Sequence, residues 1–278
     1  MGTWLITGCS SGLGRALAEA VLRHGDQAVV TARNAAAIED FASAYPETAV
    51  AAALDVTDKS QIAAVIERAE ERFGPIDVLV NNAGYGYRAA VEEAEDADVE
   101  LLFATNFFGA VSLIKAALPG MRARRRGTII NISSIAARRA MPGSGYYAAT
   151  KFALEGMSDA LRREVAPLGI DVLVVEPGPF RTDFAGRSLK ESAIVIEDYA
   201  GTAGLRRKEK DKSDGTQTGD PRRAAEAIIK LVDSRVMPFR LLLGSEAIAM
   251  VSDELNGQRR ELEEWKSLSL GADFPEDE

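Results

Sequence analysis

The sequence predicts an α/β fold: a doubly wound, mostly parallel sheet of seven strands with helices on both faces. Three features of the chain point to it. Short apolar runs alternate with helical patterns, beginning with residues 3–7 and the Leu17, Ala20, Val21, Leu22 stripe that follows. Runs such as 76–80 and 170–175 are nearly all apolar, as strands covered on both faces must be. Polar and glycine-bearing segments then stand at the carboxyl ends of these runs, where open α/β sheets bind their ligands.

Composition narrows the function classes. In 278 residues, an apolar share of 46% is ample for one well-buried core. No Pro- or Ser-rich linker and no internal repeat divides the chain, so one domain is expected over 1–265, followed by an acidic, disordered tail at 266–278. A net charge of −9 argues against nucleic acid or an anionic membrane as the main partner. No apolar run approaches the ~20 residues that span a bilayer, and the first strand begins at Thr3, leaving no room for a signal peptide; a cytoplasmic protein is expected. The single cysteine, Cys9, agrees with a reducing compartment, and one cysteine with one histidine argues against a metal site.

Taken in order, the first strand (3–7) runs into Gly8-Cys9-Ser10-Ser11-Gly12-Leu13-Gly14 and then a helix. Glycines there permit positive φ and let backbone N–H groups approach a phosphate at a helix N-terminus. The second strand, 28–33, ends at Ala32-Arg33, where an NAD enzyme would carry an acidic ribose ligand. A guanidinium in place of a carboxylate favours a 2′-phosphate, so NADP(H) is expected over NAD(H). The third strand, 49–54, ends in Asp55-Val56, with Asp55 also suited to capping the amphipathic helix that begins near Ile62. The fourth, 76–80, ends in Asn81-Asn82-Ala83-Gly84, residues that make turns and let a flat ring pass close to the backbone.

A helix follows at about 99–121, apolar nearly all round, with Asn106 as its polar exception; Arg122 to Arg126 suit a solvated helix end, where cations meet the dipole favourably. The fifth strand, 128–132, leads to Ser133-Ser134, and Tyr147 and Lys151 stand thirteen and seventeen positions after Ser134. Four apart at a helix start, Tyr147 and Lys151 share a face, and a Lys ammonium beside a phenol favours the phenolate. Alone, such a pair is ordinarily a surface contact. The sixth strand, 170–176, ends in Pro177-Gly178 with Thr182 just beyond. Residues 180–219 lose periodicity and are read as a substrate lid with a mobile later half. A helix (222–233), a seventh strand (239–244) and a terminal helix to about Trp265 complete the chain. Tyr85, Tyr87, Met141, Phe180 and Phe184 follow strand ends and suit either an apolar pocket or packing under the lid.

Thr7 through Gly14, Asn81–Gly84, Ser134, the Tyr147–Lys151 pair and Pro177–Thr182 stand in the order of the short-chain dehydrogenase/reductase family, which the chain resembles over about 3–245. The runs 81–87, 106–109 and 176–184 look most like bacterial members described as retinol- or 17β-hydroxysteroid-dehydrogenase-like. The resemblance implies a Rossmann-like fold, hydride transfer between nicotinamide and the carbonyl or secondary alcohol of a small, apolar molecule, and a homodimer or homotetramer. It assigns Asn106, Ser134, Tyr147 and Lys151 to catalysis, Asn106 holding a relay water. To the cofactor it assigns Gly8, Ser10, Ser11, Gly12, Leu13, Gly14, Arg33, Asp55, Val56, Asn82, Ala83, Gly84, Tyr147, Lys151, Pro177, Gly178 and Thr182. Two departures stand out: Cys9 where alanine is common, and Ser11 where other NADP-preferring members carry a second basic residue. An NADP(H)-binding sensor without turnover, and an epimerase or dehydratase with tightly held cofactor, are the competing classes.

Overall fold

The structure, a computed structural model, describes residues 1–274 apart from 183, 185, 187, 214 and 235. Seven strands form one parallel sheet: β1 (Thr3–Ile6), β2 (Gln27–Ala32), β3 (Ala49–Ala53), β4 (Val78–Asn81), β6 (Gly127–Ile132), β7 (Ile170–Pro177) and β9 (Arg240–Leu243). Their spatial order, β3-β2-β1-β4-β6-β7-β9, reverses beside β1, and every ladder is parallel. All seven strands therefore deliver their carboxyl ends to one edge, with the crevice between β1 and β4 at the switch point.

Two layers of helix cover the sheet. On one face α1 (Gly12–His24) and α8 (Pro221–Ser234) bury Leu17, Val21, Ile228 and Ile229 against Ile6, Val30 and Val80. On the other, α3 (Lys59–Phe73), α5 (Gly109–Arg124) and α6 (Gly145–Val165) bury Ile62, Val65, Leu113, Ile114 and Leu161 against Leu5, Leu79 and Ile129. Each such side chain contributes about 1.5–3 kcal/mol on leaving water, which is why the alternation of apolar runs fixes the architecture. Asp58, and not Asp55, caps α3, accepting from the Ser60 and Gln61 amides at 2.8 and 3.2 Å. Asp55 instead closes a local turn on Thr57.

The helix expected at about 99–121 is one rod from Asp96 to Arg124, built of α4 (Asp96–Phe103), a π turn (Ala104–Phe108) and α5. It is long and apolar enough to cross a membrane, correcting the expectation that nothing in the chain is. Here it lies in the protein, burying Leu102, Asn106, Leu113, Ile114 and Met121.

Where periodicity fails, the structure supplies short elements. A brief helix α2 (Glu39–Ala44) precedes β3, and β5 (Gly86–Arg88) pairs in parallel with β8 (Leu189–Glu191) from the segment 180–219. That segment continues into helix α7 (Ala203–Ser213). Glu93, fully buried, pins it: Oε1 accepts from the Ile196 amide (2.9 Å), the Arg207 guanidinium binds both carboxylate oxygens, and the Glu93 carbonyl accepts from Ser192 Oγ. Burial, the largest influence, raises the Glu93 carboxyl, but the Ile196 and Ala90 amides and Arg207 together hold it below its ordinary range. Finally, α9 (Ser245–Leu270) outlasts the predicted end at Trp265, so the first part of the expected tail is helical, while 275–278 lie outside the described residues.

Candidate active site

The site is built at the sheet edge around the β1 turn. Gly8 takes φ +73°, and a Cβ there would stand 2.9 Å from Ala83 Cα. At Gly14 a Cβ would sit 2.3 Å from Asn82 Nδ2 and 2.4 Å from the Gly8 carbonyl oxygen. Only glycine fits either position, so the loop is drawn down onto the end of β4. Thr7 and Asn82 sew it there: Thr7 Oγ1 accepts from the Asn82 and Ala83 amides, both at 3.0 Å, and Asn82 Nδ2 donates to the Thr7 and Gly8 carbonyls at 2.8 and 3.1 Å.

Ser11 is the N-cap residue of α1 yet makes no side-chain cap bond, which leaves the first helical N–H groups available to an anion. Ser10 and Gly12 flank it; Thr182 lies over Gly12, 3.4 Å from where its Cβ would be. Leu13 turns inward and packs against the core. A cradle that a Cβ would fill and a helix start without its own cap fit the diphosphate of a dinucleotide. Cys9 is fully buried beneath, its thiol donating to the Ile6 carbonyl at 3.2 Å; burial pushes its pKa up to about 12, so it is a packed neutral side chain.

Arg33 is exposed just past β2 and has no ion-pair partner among the described residues. Val56 packs beneath the site against α5, where a Cβ on Gly109 would approach Val56 Cγ2 to 2.7 Å. At the end of β7, Pro177 pairs with Leu243 and the Gly178 amide donates to the Leu243 carbonyl at 3.0 Å, setting this turn against the start of α9.

Ser134 follows β6 and caps a short turn, Oγ accepting from the Ala136 amide at 3.1 Å. Tyr147 lies in the first turn of α6, and Lys151 one turn on, with Nζ 5.8 Å from the Tyr147 ring centre. Burial pushes the Tyr147 phenol up to about 12, opposed by its hydrogen bond with the Ser134 side chain. Burial also pulls Lys151 down to about 8. The expectation that Lys151 lowers the phenol is thus not met in this state, because its ammonium donates to the Ile132 carbonyl at 2.8 Å and desolvation dominates both groups.

Asn106 sits in the π turn, marked by the Gly109 amide bonding to the Ala104 carbonyl. Its amide is committed: Oδ1 accepts from the Tyr85 N–H (3.0 Å), and Nδ2 donates to the Tyr85 carbonyl (2.9 Å) and Thr150 Oγ1 (3.3 Å). A Cβ at Gly84 would stand 3.0 Å from Asn106 Oδ1 and 3.8 Å from Lys151 Nζ, so Gly84, Asn106 and Lys151 meet at one point.

Of the aromatic residues, Phe184 reaches the site, its ring centre 5.8 Å from that of Tyr147. Tyr87 is 1% exposed, and Phe180 packs against the core beside α8 and β9. Sequence reasoning passed over Thr150, which accepts from Asn106 and donates to the Tyr147 carbonyl at 2.7 Å, and a buried chain from Asn81 through Asn131 to Ser158, both links 2.8 Å. The signal for the latter was an asparagine inside the otherwise apolar fifth strand.

A doubly wound parallel sheet with a glycine phosphate cradle at its switch point, and a serine, tyrosine and lysine gathered at the same edge, defines a nucleotide-binding oxidoreductase. Residues 3–193 match the family model described as short chain dehydrogenase, and the chain belongs to that family. It is 37% identical over 270 residues to "Oxidoreductase BOA17" of Botryotinia fuckeliana, covering 97% of this chain and 98% of that protein. It is 39% identical over 243 residues to a 3-ketodihydrosphingosine reductase of Bacteroides thetaiotaomicron, covering 86% and 87%. Among solved structures, a short-chain dehydrogenase from Streptomyces avermitilis superposes with a TM-score of 0.92 at 42% identity, covering 98% of this chain and all of that one. The protein is an oxidoreductase acting on CH–OH groups.

Proposed function

We propose that the enzyme uses NADP(H) in preference to NAD(H) and interconverts the carbonyl and secondary alcohol of a small apolar substrate. The observation that carries this reading is the convergence of Ser134, Tyr147 and Lys151 beside Gly84 and the glycine cradle. The bound nicotinamide supplies or accepts the hydride. In the reductive direction the Ser134 hydroxyl holds the substrate oxygen as negative charge grows on it. Tyr147 Oη gives that oxygen its proton, and the carbonyl becomes a hydroxyl. A phenol raised to about 12 stays protonated at neutral pH, which suits a proton donor. Lys151 holds the cofactor ribose and places a positive charge near the phenol as the phenolate forms.

With its amide committed to Tyr85 and Thr150, Asn106 serves as the brace that ties the segment after Gly84 to helix α6, and a relay water would use backbone oxygen of the π turn. Exposed Arg33, with no acidic neighbour paired to it among the described residues, supports the NADP(H) preference. The ketone in the name of the Bacteroides relative and the Phe184 ring beside Tyr147 support an apolar carbonyl substrate. Exposed Leu101, Phe108 and Phe152 on the outer faces of α4, the π turn and α6 support a homodimer or homotetramer, to be measured by sedimentation. A cytoplasmic site of action goes with this reading.

Titration with NADPH and NADH, followed by a panel of ketones, aldehydes and apolar secondary alcohols read by nicotinamide absorbance, tests it. Tighter NADPH binding with turnover of a panel member is expected. Tight binding without any turnover would transfer the protein to the sensor class, and preference for NADH would remove the role given to Arg33.

A further inference from the structure

Behind the site, on the side away from the glycine cradle, two carboxylates lie together in the interior. Glu155 stands one turn beyond Lys151 on α6 and is 4% exposed; Glu176, the last residue before Pro177 on β7, is wholly buried. Glu155 Oε1 accepts from Ser133 Oγ at 3.0 Å and Oε2 from Arg240 Nε at 2.8 Å. Glu176 Oε1 accepts from Arg138 Nη1 at 3.2 Å and lies 3.7 Å from Arg240 Nε. Its Oε2 is buried with no hydrogen-bond partner among the described residues. The residue before Ser134 is thus tied to one carboxylate, and Arg138, just after the turn that Ser134 caps, to the other.

We infer that Glu155 and Glu176 share a proton and act as a positioning pair, holding both flanks of Ser134 in register with helix α6. The orphaned Oε2 of Glu176 is the natural place for that proton, which it donates to the Glu155 carboxylate; a buried oxygen without a donor is otherwise costly. The charged groups facing Glu176 are Glu155 from α6, Arg138 from the turn after β6 and Arg240 from β9. Burial first, then hydrogen bonding and repulsion from Glu155, raise Glu176 to about 7 against the pull of Arg138. The pair therefore gains and loses its proton in the range where the enzyme works. When the proton leaves, the two carboxylates repel across the β7–α6 contact and loosen the Ser133 anchor. The consequence for Ser134 rests on the hydride-transfer reading; the shared proton does not.

Two measurements separate these. Infrared spectra of the intact protein, with and without NADPH, follow the protonated-carboxyl band across pH. Wild type should show a buried band disappearing with a midpoint near 7, and Glu176→Gln, whose amide imitates the protonated acid, should lack it. Glu155→Gln should keep the band but move its midpoint toward the ordinary carboxylate range, which also covers the case of Glu176→Gln failing to fold. A wild type with no protonated-carboxyl band would leave a fully ionised four-charge cluster, and an unchanged midpoint in Glu155→Gln would leave Glu176 titrating alone through burial; either overturns the pair. In turnover, kcat of wild type should fall severalfold above the same midpoint with the NADPH KM unchanged, while Glu176→Gln holds kcat level. A titrating band with a kcat indifferent to it would overturn the positioning role alone, and a titrating band with no turnover on any substrate would count against the hydride-transfer reading while leaving the pair intact.

Discussion

Replacing Lys151 with methionine should abolish turnover and yet stabilise the free protein at neutral pH. Lys151 is 6% exposed, and burial drops its pKa from 10.5 to about 8. At about 1.36 kcal/mol per pH unit, keeping that ammonium charged in the fold costs roughly 3 kcal/mol. Methionine retains the apolar stem and removes the charge. It also strips the Ile132 carbonyl of its donor, a loss of about 1–3 kcal/mol, so the net gain at pH 7 is about 1 kcal/mol. The sign reverses with pH. A depressed lysine pKa means that the unfolded chain binds more protons between about 8 and 10.5, so wild-type stability rises across that window relative to the variant. Above it the neutral amine keeps its hydrogen bond at no charge cost, and wild type becomes the more stable. Urea denaturation followed by circular dichroism at a series of pH values reads the difference directly, and the two stability curves should cross. Curves that run parallel from pH 7 to 10 would refute a buried, desolvated ammonium at this position.

Further substitutions probe the remaining parts of the site. Tyr147→Phe should cut kcat by about 10²–10⁴ with the melting temperature little changed; full turnover would dismiss Tyr147 as the proton donor. Arg33→Ala should weaken NADPH binding about tenfold or more while leaving NADH nearly unaffected, as loss of charge-assisted hydrogen bonds worth about 1.5–3 kcal/mol implies, and calorimetry with both nucleotides checks it. Gly14→Ala drives a Cβ into Asn82 Nδ2 and the Gly8 carbonyl. Overpacking of about 1–3 kcal/mol together with displaced Asn82 hydrogen bonds should lower stability and remove dinucleotide binding, measured by denaturation and fluorescence titration. Glu93→Ala leaves Arg207 without its carboxylate at a nearly closed site. A cost of about 3–5 kcal/mol should appear as faster proteolysis within 180–219 and a raised substrate KM.

Much of the fold was legible because parallel strands buried on both faces cannot hide their composition. Each of the seven strands of the main sheet was a short apolar run, and the phosphate-loop glycines sat where a Cβ would collide (Gly8, Gly14) or φ is positive (Gly8, Gly12). The structure of the segment 180–219 was not legible. Its β8 strand has three residues, too few to show a period, and α7 is a charged helix, AGLRRKEKDKS, whose placement rests on long-range contacts, Ala203 against Gly143 and Arg207 to the buried Glu93. No local pattern announces a carboxylate 114 positions away. The relation of Tyr147 to Lys151 was only half legible: helical spacing put them on one face, but whether charge or desolvation governs the phenol depends on the Ile132 carbonyl, which draws the ammonium to itself.

The polar residues that interrupt apolar strands point to a common cause. Thr7, Asn81, Asn131, Ser133 and Glu176 are all buried, and all stand at or near the carboxyl ends of β1, β4, β6 and β7. At the opposite edge fewer such groups are buried, Thr3 and Asp26 among them, and Asp77, before β4, is part-exposed and pairs with Arg126 at the surface. A buried polar group lowers stability unless partnered, and each of these is joined to another element: Thr7 to the β4 turn, Asn81 through Asn131 to α6, Ser133 through Glu155 to α6, and Glu176 through arginines to β9 and the Ser134 turn. Local propensity would place Val or Ile at each position. Conflict between local preference and fold is concentrated where backbone ends must be held to within a fraction of an ångström, and it marks the catalytic edge independently of any motif.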